Sequence, residues 1–483
     1  MNVVEPILAR ARAAPDAPAV LTDQGTLSYA ELERAVSWTA SAFLREGIEA
    51  GDTVGIAVSD QLQFVISSLA LALVGAGQIA VHRSDPTPLR RELERRLRLA
   101  GTVGADADSG VPKIAPPPAD LAELRRLPAS SVAPCRAGEL AFLIKRSSGT
   151  TAAAPRLGVL TFAMAIPWLE SRPFERPDVP SKRFLSFIHV GFVTAFSNAW
   201  RCLASGRCLA LAGGIHEADG MVEFIRRHGV NHVAGSPVHA AQLLRLAQDG
   251  TLLFPGLDAF RLSTSLVSDA LRREVIERIT PNLFVYYGST EASAICHATP
   301  ELVRRIPGVV GPPVRGAEVQ VLDEEGRLLP PGKPGRVRVR SPWTIRGYLD
   351  DPEATARAFR DGWFHTGDLG EFTAEGALIH RGRADDVMIF DGINISPSEI
   401  EDALLRHPAV AEAAAFGIVS RTHGEIPAAA VVLSAPVMEA DLLEHGRSWL
   451  GLRAPVRIVV VRELPRNAAG KVLKRELAGL VRT

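Results

Sequence analysis

A chain of 483 residues exceeds what one hydrophobic core usually fills, so at least two domains are expected. Apolar residues make up 47% and charged residues 22%, the balance of a soluble globular chain. Basic and acidic residues are equal at 54 each, which argues against a nucleic-acid backbone or an anionic membrane surface as the main partner.

In chain order, Met1-Asn-Val-Val-Glu-Pro6 lacks a basic segment followed by an apolar one, so no secretory signal is expected. Ser28, three residues before Glu31, predicts a capping box at the start of an amphipathic helix. Thr53–Val58 reads as a strand, 61–74 as a buried helix and Gln78–Val81 as a second strand, together a βαβ unit. The uncharged run from Phe64 to Val81 is interrupted at Gly75-Ala-Gly77 and is assigned to this unit, not to a membrane span. Residues 101–138, rich in Pro, Ala, Asp and Gly, read as an irregular connection. Strands near Phe184–Ile188 and His232–Ala234 and helices near 218–228 and 237–248 continue the alternation. Between 309 and 340 the chain turns to short β-rich pieces. After Asp385 the expected order is helix Pro397–Arg406, strands Val410–Gly417 and Ala428–Leu433, helix 438–450 and strand Val456–Val461, a compact α+β unit.

Four cysteines, Cys135, Cys202, Cys208 and Cys296, are too sparse for a disulfide framework and show no metal-binding spacing, which fits a reducing cytoplasm. Only six lysines occur, so each one is informative. Lys471, after Gly470 and before a helical run, offers a compact ammonium on a flexible stem, where arginine would offer a planar fork. Taken alone it reads equally as a solvated lysine at a helix start.

Three stretches carry further chemistry. Ser147-Ser148-Gly149-Thr150-Thr151, after the apolar Leu140–Ile144, is either a polar turn or a cradle of hydroxyl and N–H donors for phosphate oxygens. Tyr287-Gly288-Ser289-Thr290-Glu291 ends an apolar strand with an aromatic face for a base, a glycine for close backbone approach and a carboxylate suited to Mg²⁺. In Thr366-Gly367-Asp368 a carboxylate past a glycine can accept both hydroxyls of a ribose. Each is a plain turn or a solvated acid when read singly; together they ask for a nucleotide.

The order of these motifs, with Arg346-Gly-Tyr348, Gly382-Arg-Ala-Asp-Asp386 and Gly470-Lys471, resembles the adenylate-forming superfamily of acyl-CoA synthetases, peptide-synthetase adenylation domains and luciferases, across nearly the whole chain. The resemblance implies an α/β fold: a large, multi-subdomain N-terminal adenylation domain over residues 1–384 and a small, mobile α+β domain over 385–483. It implies that Ser147, Ser148, Gly149, Thr150 and Thr151 bind the β- and γ-phosphates of ATP, with Arg156 supplying charge. Thr290 would contact the α-phosphate, Tyr287 and Gly288 flank adenine, and Ser289 and Ser265 belong to the ATP site. Glu291 would hold Mg²⁺, Asp368 and Arg383 would take the ribose, Lys471 would bridge the acid and the α-phosphate, and Asp385 would be the hinge.

The sequence also departs from the family pattern. Thr151 is followed by Ala152-Ala-Ala-Pro155-Arg156, where the family has a glycine and a lysine, and Asn394 stands where some members place an arginine linked to thiol binding. Phe187-Ile188-His189-Val190 lacks the aspartate that pairs with an α-ammonium in amino-acid-activating members. The implied acyl pocket, Phe187, His189, Phe192 and Phe196, therefore suggests an apolar acid, fatty or aromatic. The expected activity is AMP-forming ligation of that acid to the thiol of CoA. Loading of the phosphopantetheine of a discrete carrier protein is the alternative, since the chain leaves no room for a fused carrier after Lys471. A catalytically weak nucleotide-binding or acyl-binding relative is the third reading.

Overall fold

The computed structural model describes residues 2–82, 85–104, 110–146, 155–171, 183–213, 217–248, 250–390, 393–420, 424–466 and 471–480. Two α/β layers form the body. One is an eight-stranded sheet in the order Ser293–Ala298, Leu283–Ser289, Ala259–Leu262, His232–Gly235, Arg183–Ser186, Cys208–Ala210, Pro18–Thr22, Gly25–Ser28. Its inner pairings are all parallel, and an antiparallel strand closes each edge. Strands buried on both faces need no alternation, which is why His232–Gly235 and Ala259–Leu262 are enclosed along their whole length. The parallel run brings the C-terminal ends of these strands to one edge, where open α/β sheets receive ligands.

The second layer is a six-stranded sheet ordered Lys113–Ile114, Gly101–Val103, Thr53–Ile56, Gly77–Ala80, Ala141–Arg146, Leu157–Thr161. The predicted βαβ unit sits inside it, with Thr53–Ile56 parallel to Gly77–Ala80. The helix between them, Gln61–Val74, starts where the Asp60 carboxylate accepts the Gln63 N–H at 2.8 Å and ends at Gly75 with φ 91°. Twelve of its residues are buried, so its all-round apolar surface is spent on the core. No helix among the described residues is long and apolar enough to cross a membrane. The predicted capping box is present: the Ser28 hydroxyl accepts the Glu31 N–H and the Glu31 carboxylate accepts the Ser28 N–H at 2.9 Å.

A third, antiparallel sheet holds Val309–Gly311, Leu378–Arg383, Trp363–Phe372, Gly335–Arg340 and Glu318–Leu322; three of these strands lie in the β-rich stretch expected between 309 and 340, and two lie beyond it. The chain then passes through a short turn at Ala384–Asp386 into a separate sheet of Met388–Phe390, Ile393–Ile395, Gly424–Leu433, Val410–Ser420 and Arg457–Val460. Helices Pro397–Leu404 and Glu439–Leu450 cover it through Ile400, Leu404 and Leu442. The result is a mixed α/β protein with a large N-terminal and a smaller C-terminal domain.

Two expectations need correction. Residues 101–138 are not wholly irregular: strands Gly101–Val103 and Lys113–Ile114 and helix Leu121–Arg126 lie within them. Elements of two to six residues are too short to leave a readable period. The hairpin of the small domain is also longer than expected, Val410–Ser420 against Gly424–Leu433, because paired backbone carries the ladder past Gly417 and Pro427.

Candidate active site

The body and the small domain enclose a cleft of about 2140 Å³, lined among others by Thr290, Glu291, Asp368, Arg383 and Lys471. The eight-stranded sheet supplies the first part. Strand Leu283–Ser289 ends there and returns as Ser293–Ala298, leaving Thr290, Glu291 and Ala292 as the turn between the two, with Thr290 half-buried and Glu291 and Ala292 buried. The Ser289 hydroxyl holds that turn by accepting the Ala292 N–H at 3.0 Å. The hairpin itself requires Gly288: a Cβ there would stand 2.1 Å from the Ser293 carbonyl oxygen across the hairpin. Only a residue without a side chain lets the two strands close.

Glu291 is nearly buried, and its Oε1 accepts the Tyr348 hydroxyl at 2.8 Å. The Arg156 guanidinium lies over the Tyr348 ring, 5.4 Å from its centroid, with Asp351 3.7 Å away. Arg156 therefore reaches the cleft as a held cation.

The third sheet supplies the ribose candidate. Asp368 faces Arg383 across the ladder from Trp363–Phe372 to Leu378–Arg383. Arg383 Nη1 donates to Asp368 Oδ1 at 3.1 Å and to the Thr366 carbonyl at 2.7 Å, while the Tyr287 hydroxyl donates to Asp368 Oδ2 at 2.5 Å. Gly367, with φ 76°, provides the turn that aims Asp368, and any Cβ there would meet the Arg383 guanidinium. Burial pushes the Asp368 carboxyl up, but His380, Arg383 and Tyr287 outweigh it, so it lies below the usual carboxylate range. Burial together with this neighbouring carboxylate raises the Tyr287 phenol far above its ordinary value. The site thus presents an ionised carboxylate and a permanent hydroxyl donor.

The Ser265 hydroxyl is a buried polar atom without a hydrogen-bond partner among the described residues, on the cleft wall. Such an orphan fits a polar ligand. Lys471 lines the same cleft just before helix Lys474–Leu480. Asp385, exposed, accepts from Arg383 Nη2 at 3.4 Å at the crossing between domains. Ser147, Ser148, Gly149, Thr150 and Thr151 lie outside the described residues. The strands on either side, Ala141–Arg146 and Leu157–Thr161, are paired, and Arg146 and Arg156 bring both ends to the cleft.

Of the four residues expected in the acyl pocket, two line the cleft. Phe196 packs with Phe142, Trp168 and Trp200, and Phe192 stacks on His82 at 4.6 Å. Phe187 and His189 do not line it. Phe187 stacks on His239 at 5.5 Å. Both His189 nitrogens serve the backbone: Nδ1 accepts the Gly191 N–H, so Nε2 carries the proton and donates to the Ser59 carbonyl at 3.1 Å. Sequence reasoning overlooked Tyr348 as the partner of Glu291, and His380 and Thr366 as supports of Asp368. Tyr348 and Thr366 stand inside motifs named above; His380 has no signal beyond proximity to one.

Oxygen donors from Glu291 and Thr290 suit Mg²⁺, and no group of three or more His, Cys, Asp or Glu that could cage a metal occurs among the described residues. A single carboxylate completed by substrate phosphates is a usual setting for Mg²⁺.

The family model described as AMP-binding enzyme matches residues 7–349, and the AMP-binding enzyme C-terminal domain matches residues 399–471. The 2-succinylbenzoate–CoA ligase of Geobacillus kaustophilus is 31% identical, covering 98% of this chain and 96% of that protein. The Bacillus cereus enzyme of the same name is 28% identical over 98% of each. The o-succinylbenzoate CoA synthetase of Bacillus subtilis, solved with its acyl-adenylate intermediate, superposes with a TM-score of 0.85 at 25% identity, over 98% of this chain and 97% of that one. It has also been solved with ATP and magnesium ion, again at 0.85.

Proposed function

The chain belongs to the AMP-binding enzyme family, and we propose that it joins an aromatic carboxylic acid, 2-succinylbenzoate, to CoA in two half-reactions. In the first, a carboxylate oxygen of the acid attacks the α-phosphorus of ATP and pyrophosphate leaves. In the second, the CoA sulfur attacks the acyl carbonyl, the thiol proton is lost to solvent, and AMP departs. The enzyme is an AMP-forming acid–thiol ligase that uses ATP, Mg²⁺ and CoA.

Asp368 accepts the ribose hydroxyls and Arg383 holds Asp368 in place. Tyr287 and Gly288 wall the adenine site, with Ser265 as an additional donor. Ser147, Ser148, Gly149, Thr150, Thr151 and Arg156 take the outer phosphates, while Ser289 and Thr290 take the inner one. Glu291 holds Mg²⁺, which neutralises phosphate charge when bound. A carboxylate approaching an anionic phosphate brings like charges together, and the Lys471 ammonium offsets them most where charge develops, in the transition state. The domain boundary lies at 384/385, with Asp385 as the pivot that swings Lys471 out and admits the thiol.

One observation carries this reading: Thr290, Glu291, Asp368, Arg383 and Lys471, drawn from separate motifs on two sheets and the small domain, line a single cleft. For the acid, Phe192 and Phe196 offer an apolar wall, and Asn198 and Arg201 beside them suit an aromatic acid that keeps a second carboxylate. Four free cysteines support a cytoplasmic setting.

The test is an ATP-consumption screen over fatty, benzoic, amino and succinylbenzoic acids, with mass detection of the product. AMP together with 2-succinylbenzoyl-CoA is expected. Acylation of a stand-alone carrier protein without acyl-CoA would move the acceptor to phosphopantetheine. Absence of AMP with every acid would overturn the proposal.

A further inference from the structure

Lys145 lies just before residues 147–154, is fully buried, and does not line the cleft. Its ammonium donates to the Ser293 hydroxyl at 2.8 Å, joining residues 148 positions apart in the chain. A buried ammonium persists only where hydrogen bonds and opposite charge compensate its lost hydration. Burial draws the Lys145 pKa down to about 7, Glu291 works against that, and Arg201 adds to it. Glu291 is thus the carboxylate that favours the charged form.

The acceptor is equally unusual. Ser293 is a non-glycine residue with φ 54°, at the point where the Thr290–Ala292 turn re-enters the sheet. A serine in that region carries a backbone strain that persists only where its surroundings hold it there. The surroundings form a closed ring. Lys145 pairs with Gly158 in the ladder, Gly158 bridges to Tyr348, the Tyr348 hydroxyl donates to Glu291, and Ser293 returns to Lys145. The Ile345 N–H to the Glu291 carbonyl at 3.0 Å, and the Trp343 indole to the Ala292 carbonyl at 2.9 Å, fasten the same turn from a second side.

We infer that Lys145 is a positioning residue for adenylation: its ammonium ties the strand that enters the 147–154 segment to the turn carrying Thr290 and Glu291. Strand Ala141–Arg146 and that turn then move as one unit. The inference rests on the activity proposed above for the same cleft. Without the tether Ser293 relaxes to ordinary φ, and the turn re-aims Thr290 and Glu291 while the sheet beneath stays packed.

Lys145→Met removes the charge at similar length and volume; it removes the cost of desolvating the ammonium, while Glu291 keeps its hydrogen bond from the Tyr348 hydroxyl. The first readout is amide hydrogen exchange of the ligand-free protein, which needs no substrate. A peptide spanning 288–293 should exchange about tenfold faster or more, with the remaining core peptides and Tm unchanged. The second is kinetics: kcat for adenylate formation should fall about 10- to 100-fold, the loss typical of a supporting residue, with KM for ATP shifted by less than about threefold. Ser293→Ala should reproduce both effects, and the double variant should be no worse than either single one.

Unchanged exchange over 288–293 would overturn the inference. So would faster exchange everywhere with a lowered Tm, which is the signature of core packing alone. If the wild-type protein activates no acid, the ligase reading fails, and the exchange measurement still decides the role of Lys145.

Discussion

Replacing Asp368 by asparagine keeps the shape of the side chain and removes its charge, at a position where charge is the whole point. Oδ1 accepts from Arg383 and Oδ2 from Tyr287, so both oxygens already work as acceptors before any ligand binds. The asparagine amide turns one of them into a donor facing another donor. Arg383 keeps its bond to the Thr366 carbonyl and its side chain is 40% exposed, so the cost to the fold is discounted to about 1–2 kcal/mol. Binding suffers more. A hydrogen bond to a charged group contributes about 1.5–3 kcal/mol, so loss of one ribose contact weakens ATP by about 10- to 150-fold. Calorimetric titration with ATP and 2′-deoxy-ATP checks this directly. The wild type should prefer ATP, and Asp368→Asn should bind both nucleotides weakly and nearly alike. Equal ATP affinity in the two proteins, with Tm retained, would refute the assignment of Asp368 to the ribose.

Two other perturbations probe the small domain. Asp402 is pushed up to about 6 by burial, by Asp269 and by Glu401, with Arg406 and Arg272 opposing. Its folded pKa lies above the ordinary 3.8, so the ionised form opposes the folded state, and that cost grows from about pH 4 to about pH 6 and is constant above. Asp402→Asn should therefore raise Tm at pH 7.5 and leave it unchanged near pH 4; an equal gain at both pH values would contradict the sign. Asp385→Pro fixes φ at the crossing between domains, so it should spare acid-dependent pyrophosphate exchange and slow acyl-CoA formation. Equal loss of both half-reactions would count against a pivot there.

Much of the site could be read from the chain because its chemistry is local. Tyr287 to Glu291 sit on one strand end and its turn, and Thr366 to Asp368 on one glycine-directed bend, so short motifs announced them. Contacts between distant residues left no such mark. Nothing near Lys145 says that Ser293 will meet it, and nothing near Glu291 says that the Tyr348 hydroxyl will hold it. Gly288 reads from the sequence as a point of close backbone approach, and its own hairpin partner, which no neighbouring residue announces, is one strand that approaches it. Phe187 and His189 share an aromatic-rich stretch with Phe192 and Phe196, yet only the latter pair lines the cleft. Which way each ring turns depends on His239, Ser59 and Gly191, supplied by the fold. Helix and strand types were legible from period and capping, whereas the two- and three-residue strands of the six-stranded sheet exist only because neighbours pair with them.

The account depends on one amine from the small domain acting where the acid meets the α-phosphate. Its most direct test is pyrophosphate–ATP exchange driven by 2-succinylbenzoate, comparing wild type with Lys471→Ala at saturating ATP. Exchange by the variant should drop by about 100-fold or more, in the range for removal of a group that stabilises transition-state charge, while ATP affinity stays within about threefold. Near-wild-type exchange by Lys471→Ala would contradict the account.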